Sequence, residues 1–335
     1  MQIDQTNVVI RARSFTEILD LATVLMREHS MPITIAFLAG ALPWAIANTA
    51  ILGFIPVGAF EDAVFSDPID HRFLIYMITL PVLVFLQTPV AGALLTIYLG
   101  RAIFEDKPTW RSVGRDAGSL MPRWLYSLGL IRGPLVMMAL MWLMATGNSV
   151  VLVFGSPFLF FSGLFFIWLR VTRPFLPEII VLERSPLRPP TGSKSFSVRL
   201  RSRSLHGPFT GELFARFVTA SITYGALAAA LFFSFAWLQN ILLGNWQSDV
   251  IRYWVLYPVS LWAVAQFSVV VRLLGYLDTR IRLEGWEVQL ATMAECNRQF
   301  GDLDVTPLPP VVAMNALPAS GPPAELPMAR LVDES

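Results

Sequence analysis

Residues 133–169 read GPLVMMALMWLMATGNSVVLVFGSPFLFFSGLFFIWL, and no charged side chain interrupts them between Arg132 and Arg170. Runs of about eighteen or more apolar residues without charge read as membrane helices. These 37 residues are long enough for two. The turn signal Gly147-Asn148-Ser149 divides them into a hairpin. That leaves 14 residues, 133–146, for the first arm, too few for roughly 30 Å of hydrocarbon. The arm is therefore expected to start earlier and to carry Arg132 a turn or more inside its cytosolic end.

The same reading extends outward to runs at about 33–55, 73–100, 121–146, 150–169, 217–243 and 253–271. Backbone polar groups find no water in hydrocarbon, so each run is helical or part of a closed barrel. Length and the lack of alternation exclude the barrel. The composition agrees: of 335 residues, 55% are hydrophobic and 15% charged, where a soluble domain is nearer a quarter charged. The fold class expected is an all-α polytopic membrane protein, with six transmembrane helices and amphipathic cytosolic or interfacial helices. A cleavable signal peptide is not expected, because the first run begins beyond residue 30 behind a patterned helix.

Charge sets the orientation. The net charge of +1 conceals segregation: 22 Lys and Arg flank the two ends and alternate connections, against Arg72 and Arg252 on the other face. The first loop of that other face is acidic, with Glu61, Asp62, Asp67 and Asp70. Basic residues near spans stay in the cytosol, so both termini are placed inside, in a cell inner membrane. Cys296, the single cysteine, falls on the cytosolic side and is expected to be reduced. The domain reading is 1–32 as a cytosolic segment with an amphipathic helix, 33–272 as the membrane domain, 273–300 as a charged cytosolic helix, and 301–335 as a proline-rich disordered tail.

The cytosolic segments carry the distinctive patterns. Ser14 and Glu17 form an S-x-x-E capping box, followed by Phe15, Ile18, Leu19, Ala22, Leu25 and Met26 at helical spacing up to Pro32. This helix either lies among headgroups or docks on the bundle. Thr109 is read as the cap of a second amphipathic helix, carrying Trp110, Val113, Ala117 and Leu120 and ending before Pro122. The segment 184–206 holds six basic groups and no acidic one and is read as a loose loop with a short helical end. Its Arg188, Lys194, Arg199, Arg201 and Arg203 are candidate contacts for anionic headgroups, worth about 1 kcal/mol each. No aromatic interleaving accompanies them, so nucleic acid is not expected.

Residues 276–287, YLDTRIRLEGWE, form a charged helix. Asp278–Arg282 is an i,i+4 pair in the favourable order, and Arg280–Glu284 is one in the weaker order. Trp286 is within reach of the Arg282 guanidinium. Asp278, Arg280, Arg282, Glu284 and Trp286 are read as a latch against the inner loops. Arg132 is the deepest basic residue, either a functional intramembrane charge or a snorkelling one. Polar residues such as Asn48, Gln87 and Thr96, with the small-residue ladders Gly92/Thr96/Gly100 and Ser221/Gly225/Ala229, suit close helix packing.

Residues 276–285 resemble the Y-x-D-x-R-I-R-x-E-G ending of uncharacterised bacterial multi-pass membrane proteins. These are similar to the membrane domain beside some glycerophosphodiester phosphodiesterases. Residues 13–20, RSFTEILD, resemble that family's opening helix, and 173–178 and 182–184 its exit from the fourth span. The resemblance implies six helices and a role in envelope or lipid homeostasis. It implies no catalytic residue, since the phosphodiesterase is a separate soluble domain.

The spans contain no Asp or Glu, which argues against a carboxylate relay for coupled transport. His29, His71 and His206 are scattered over connections, and no H-E-x-x-H, G-x-S-x-G or P-loop occurs. No cofactor, metal or enzymatic activity is expected. The expected role is to organise lipids, a membrane-protein partner or a second copy at the cytosolic face. The competing expectation is a small transporter or lipid translocase that takes an anionic substrate through Arg132.

Overall fold

The capping box at the start of the first helix is formed. Ser14 Oγ accepts from the Glu17 N–H at 3.3 Å, and Glu17 Oε2 accepts from the Ser14 N–H at 2.9 Å. Helix α1, Phe15–Glu28, buries Ile18 and Ala22 and leaves its polar side out, so it docks on the bundle. Expected to stop it, Pro32 instead lies in the first turn of α2, Ser30–Leu52, where a missing N–H has no partner to lose. The break falls at His29.

The computed structural model describes residues 13–53, 71–102, 108–145, 149–187, 197–244 and 251–284. These belong to the compact unit Met1–Glu287; a second unit, Val288–Ser335, lies outside the described residues, as do the acidic outer loop and the proline-rich tail. All regular structure among them is helical. Four helices are long and apolar enough to cross a membrane, or up to six if two bent pairs each count as one span. The chain is accordingly a polytopic helical membrane protein.

The first bent pair, α3 (His71–Ala91) and α4 (Ala93–Ala102), turns by 45° at Gly92. A Cβ there would meet Val269 Cγ2 at 2.5 Å, so glycine permits the close approach of the last helix. The second pair joins α5 (Trp110–Trp124) and its π-helical extension Leu125–Leu130 to α6 (Pro134–Ala145), with a 56° bend. Pro122 does not end α5 as expected; the helix runs through it and widens into the π turn, which absorbs the lost hydrogen bond. The arm thus does start well before Arg132, but Arg132 sits in the bend. Gly133 has φ +92°, and its Cα faces the Phe166 ring at a distance that admits no side chain.

Helix α7, Ser149–Thr172, follows. It exposes Phe158, Phe160, Phe161, Phe165 and Trp168. A contiguous aromatic surface of this kind is costly in water and at home in lipid. After Pro174 the chain folds back into a short α8, Leu176–Val181, five of whose residues are buried. Helix α9, Val198–His206, is the expected helical end of the basic segment, capped by Ser197 Oγ on the Leu200 N–H.

Helix α10 runs Thr210–Leu243 and ends at Gly244 with φ +63°. The π turn Arg252–Leu256 leads into α11, Tyr257–Glu284. The last span and the charged helix, read as separate elements, form one continuous helix as far as Glu284. It is the hub of the bundle, packed by α1, α2, α3, α4, α9 and α10. Lipid is as apolar as a leucine core, so hydrophobicity alone does not hold such helices together. Specific polar ties do part of it. Asn48 and Gln87 exchange two amide hydrogen bonds of 2.8 and 2.7 Å between α2 and α3, fully buried. At the end of the bundle that holds Arg252, Tyr76 donates to the Tyr253 carbonyl and Tyr257 to the Met77 carbonyl, both at 2.8 Å.

Candidate functional site

Asp278 is 3% exposed and gathers four donors. The Arg13 N–H donates to Oδ1 at 2.8 Å, Arg216 donates through both terminal nitrogens at 3.2 Å, and Arg282 Nε lies 3.2 Å from Oδ2. Arg282 also donates to the Arg13 carbonyl at 2.6 Å, and Arg216 pairs with Glu212 at 2.6 Å. The expected Asp278–Arg282 pair is present and is part of a larger lock holding the start of α1, the start of α10 and the end of α11. Arg280 faces Glu183 at 3.7 Å and stacks near Tyr276. The Glu284 side chain and Trp286 lie outside the described residues, so the contacts read for them do too.

A second cluster lies beside it. Arg201 clamps Glu183 with two bonds of 2.7 and 2.8 Å, and the Tyr276 hydroxyl donates to the same carboxylate at 2.5 Å. Asp116 on α5 holds Arg101 and, at 2.8 Å, Arg184. Arg184 reaches it from a left-handed backbone, φ 52°, uncommon for a residue other than glycine. Arg101, Asp116, Glu183, Arg184 and Tyr276 line a cleft of about 330 Å³. Arg201, read as a headgroup contact, is committed to Glu183 and so serves structure. Arg199 and Arg203 are exposed; Arg188 and Lys194 lie outside the described residues.

The third cluster is buried deepest. Arg132, at 7% exposure, lies in the bend before α6; Arg170 ends α7; Arg272 is on α11. Glu178 on α8 is the carboxylate nearest to them. Arg272 Nε donates to Glu178 Oε1 at 2.7 Å, with the Glu178 side chain fully buried. Arg132 is thus buried within the bundle. The absence of acids from the spans held in sequence, yet the folded-back α8 returns a carboxylate to the bundle. Arg170 Nη1, Arg272 Nη2 and Glu178 Oε2 are buried without a hydrogen-bond partner, and Arg170 lies 3.7 Å over the Phe85 ring.

His206 completes this end. Its Nε2 accepts from the Phe175 N–H at 3.2 Å while Nδ1 faces the Ser202 carbonyl at 2.7 Å, so the proton resides on Nδ1. Burial pushes its pKa down to about 4, with Arg132 and Arg173 acting in the same direction against the Ser202 bond. The ring is neutral and adds no charge.

Arg170 and Arg272 also form the polar end of a partly open cavity of about 360 Å³ between α3, α10 and α11. Its lining includes the small face of α10: Ala220, Ser221, Gly225 and Ala228. The ladder Ser221/Gly225/Ala229 was expected to pack closely. A Cβ on Gly225 would meet nothing within 4 Å, so these residues leave space. Gly92 and Gly100, in contrast, do pack tightly, against Val269 and Leu182.

Sequence reasoning missed Arg170, Arg272, Glu178, Glu183 and Asp116 as site residues. Arg170 and Arg272 read as ordinary flanking charges; the i,i+4 or i,i+3 rule that found Asp278–Arg282 has no counterpart for contacts across helices. Among the described residues no group of three His, Cys, Asp or Glu is placed to hold a metal. No family model, curated protein or solved structure matches the chain.

Proposed function

We propose that this is a non-enzymatic, six-span protein of the cell inner membrane, with both ends in the cytosol, that organises anionic lipids or a partner protein on its cytosolic face. The observation that carries this reading is the ionic plate at one end of the bundle. Asp278, Glu183, Asp116 and Glu178 each hold arginines from different helices, and those arginines come from the basic segments that the charge rule assigns to the cytosol. Such a plate fixes α1, α5, α8 and α9 as a rigid surface at the headgroup level. Exposed Arg199 and Arg203 add charge where anionic headgroups concentrate. A role in envelope or lipid homeostasis rests on the resemblance of residues 13–20 and 276–285 to the bacterial membrane proteins.

The test is crosslinking in native membranes, with recovered proteins and lipids identified by mass spectrometry, in the parent chain and in Asp278→Asn. A defined partner or anionic-lipid set that is lost in the variant supports the scaffold. Movement of a solute or lipid by reconstituted protein, abolished by substituting a cavity-lining residue, sinks it in favour of the second reading, a translocase for an anionic substrate. That reading is favoured by the unpartnered Arg170 and Arg272 nitrogens. Its critical substitution is Arg170→Gln more than Arg132→Gln, because Arg170 lines the cavity.

A further inference from the structure

We propose that the cavity between α3, α10 and α11 is a binding site for one membrane lipid with an anionic headgroup, its acyl chain against the small face of α10 and its headgroup on Arg170 and Arg272.

Charge defines one end of the ligand. A buried guanidinium is stable only when paired or liganded. Here Arg272 pairs with one carboxylate, Glu178, and Arg170 and Arg132 are near enough to share its charge. Glu178 is bonded to Arg272 alone, through Nε. That leaves Arg272 Nη2 and Arg170 Nη1 buried and without acceptors, and the Arg272 side chain is nine-tenths buried. Both residues line the cavity. Two guanidinium groups with free N–H donors suit a phosphate oxygen pair. The Glu178 carboxylate repels an anion, but three cations outnumber it.

The rest of the cavity specifies the other end of the ligand. Its walls are predominantly apolar, with Phe85, Phe217, Leu261 and Val264 among them. Its volume of about 360 Å³ falls within the range of small-molecule sites, about 300–1,000 Å³. A free phosphate would satisfy the arginines and leave that apolar volume empty. A lipid without an anionic group would fill the volume and leave the arginines unpaired, and phosphatidylcholine brings its phosphate together with a choline cation that the arginines repel. An anionic amphiphile does both. Open space beside Gly225 sits on α10, whose most apolar window is otherwise barely packed against the bundle.

This proposal rests on the reading of the chain as a membrane protein and is independent of the scaffold role. Purified full-length protein in non-ionic detergent is titrated with phosphatidylglycerol, phosphatidylcholine, oleate and inorganic phosphate, and adducts are counted by native mass spectrometry. The expected result is one saturable phosphatidylglycerol, with phosphatidylcholine roughly tenfold weaker and inorganic phosphate unable to displace it. Gly225→Phe fills the open space without touching a charge, and Arg170→Gln removes a guanidinium that has no ion-pair partner among the described residues. Each is expected to weaken phosphatidylglycerol roughly tenfold or more while thermal unfolding in detergent stays close to the parent. Equal retention of phosphatidylcholine, unchanged binding in Gly225→Phe, or binding of oleate without phosphatidylglycerol overturns the site. Loss of crosslinked partners in Asp278→Asn with lipid binding intact bears on the scaffold alone.

Discussion

Asp278 shows how much one buried carboxylate does when several elements converge on it. Replacing it with Asn keeps the shape and removes the charge that balances Arg216 and Arg282. The expected loss is about 2 kcal/mol, read as a lower unfolding midpoint and as proteolysis within residues 13–28. Asn48 and Gln87 give a contrasting case. Either one replaced by Leu strands a buried amide at a cost of about 2 kcal/mol, whereas the double replacement recovers most of it; equal losses in single and double variants would contradict the reciprocal pair. His206 supplies the pH dependence. Its folded pKa of about 4 lies below the ordinary 6.5, so the unfolded chain takes up the proton first. The stabilisation is therefore complete above pH 6.5 and is lost as pH falls toward 4, by about 3 kcal/mol in all. A His206→Gln variant should show a flatter midpoint between pH 6.5 and 4 than the parent.

At the scale of elements, the bend between α5 and α6 is the most demanding feature. Gly133→Ala puts a Cβ into the Phe166 ring from a left-handed backbone, for an expected cost of about 3 kcal/mol, measured by unfolding in detergent. Periodicity, capping and hydropathy made the helices legible: Ser14 and Glu17 start α1 where expected, and α7 opens at Ser149, with Gly147 and Asn148 outside the described residues. The breaks were less legible. Pro32 and Pro122 looked like terminators, yet one sits in a first turn and the other is absorbed by a π turn. The breaks fall at His29, Gly92 and Arg132–Gly133, and at the two glycines they coincide with the close approach of Val269 and Phe166. The site was half legible for the same reason. Asp278 and Arg282 share a helix and appear as a spacing, whereas Arg272 meets Glu178 from 94 residues away and Arg201 reaches Glu183 across 18 residues with no regular spacing to announce it.

For the molecule as a whole, the basic segments and the ionic plate are two descriptions of one end. On the proposed orientation, the arginines that the charge rule places in the cytosol also carry the ion pairs that join helices, and Arg170 and Arg272 line the apolar cavity. That account stands on the crossing number and orientation, so the most direct test is cysteine labelling in a Cys296→Ser background. Single cysteines are introduced as Asp62→Cys, Ser149→Cys and Ser248→Cys on one side, and as Thr109→Cys, Ser193→Cys and Ser320→Cys on the other. A membrane-impermeant maleimide should label the first three in cells with a permeabilised outer envelope and the last three only after the inner membrane is opened. Labelling of Thr109→Cys or Ser320→Cys before the inner membrane is opened would contradict six crossings with the arginine-rich end in the cytosol.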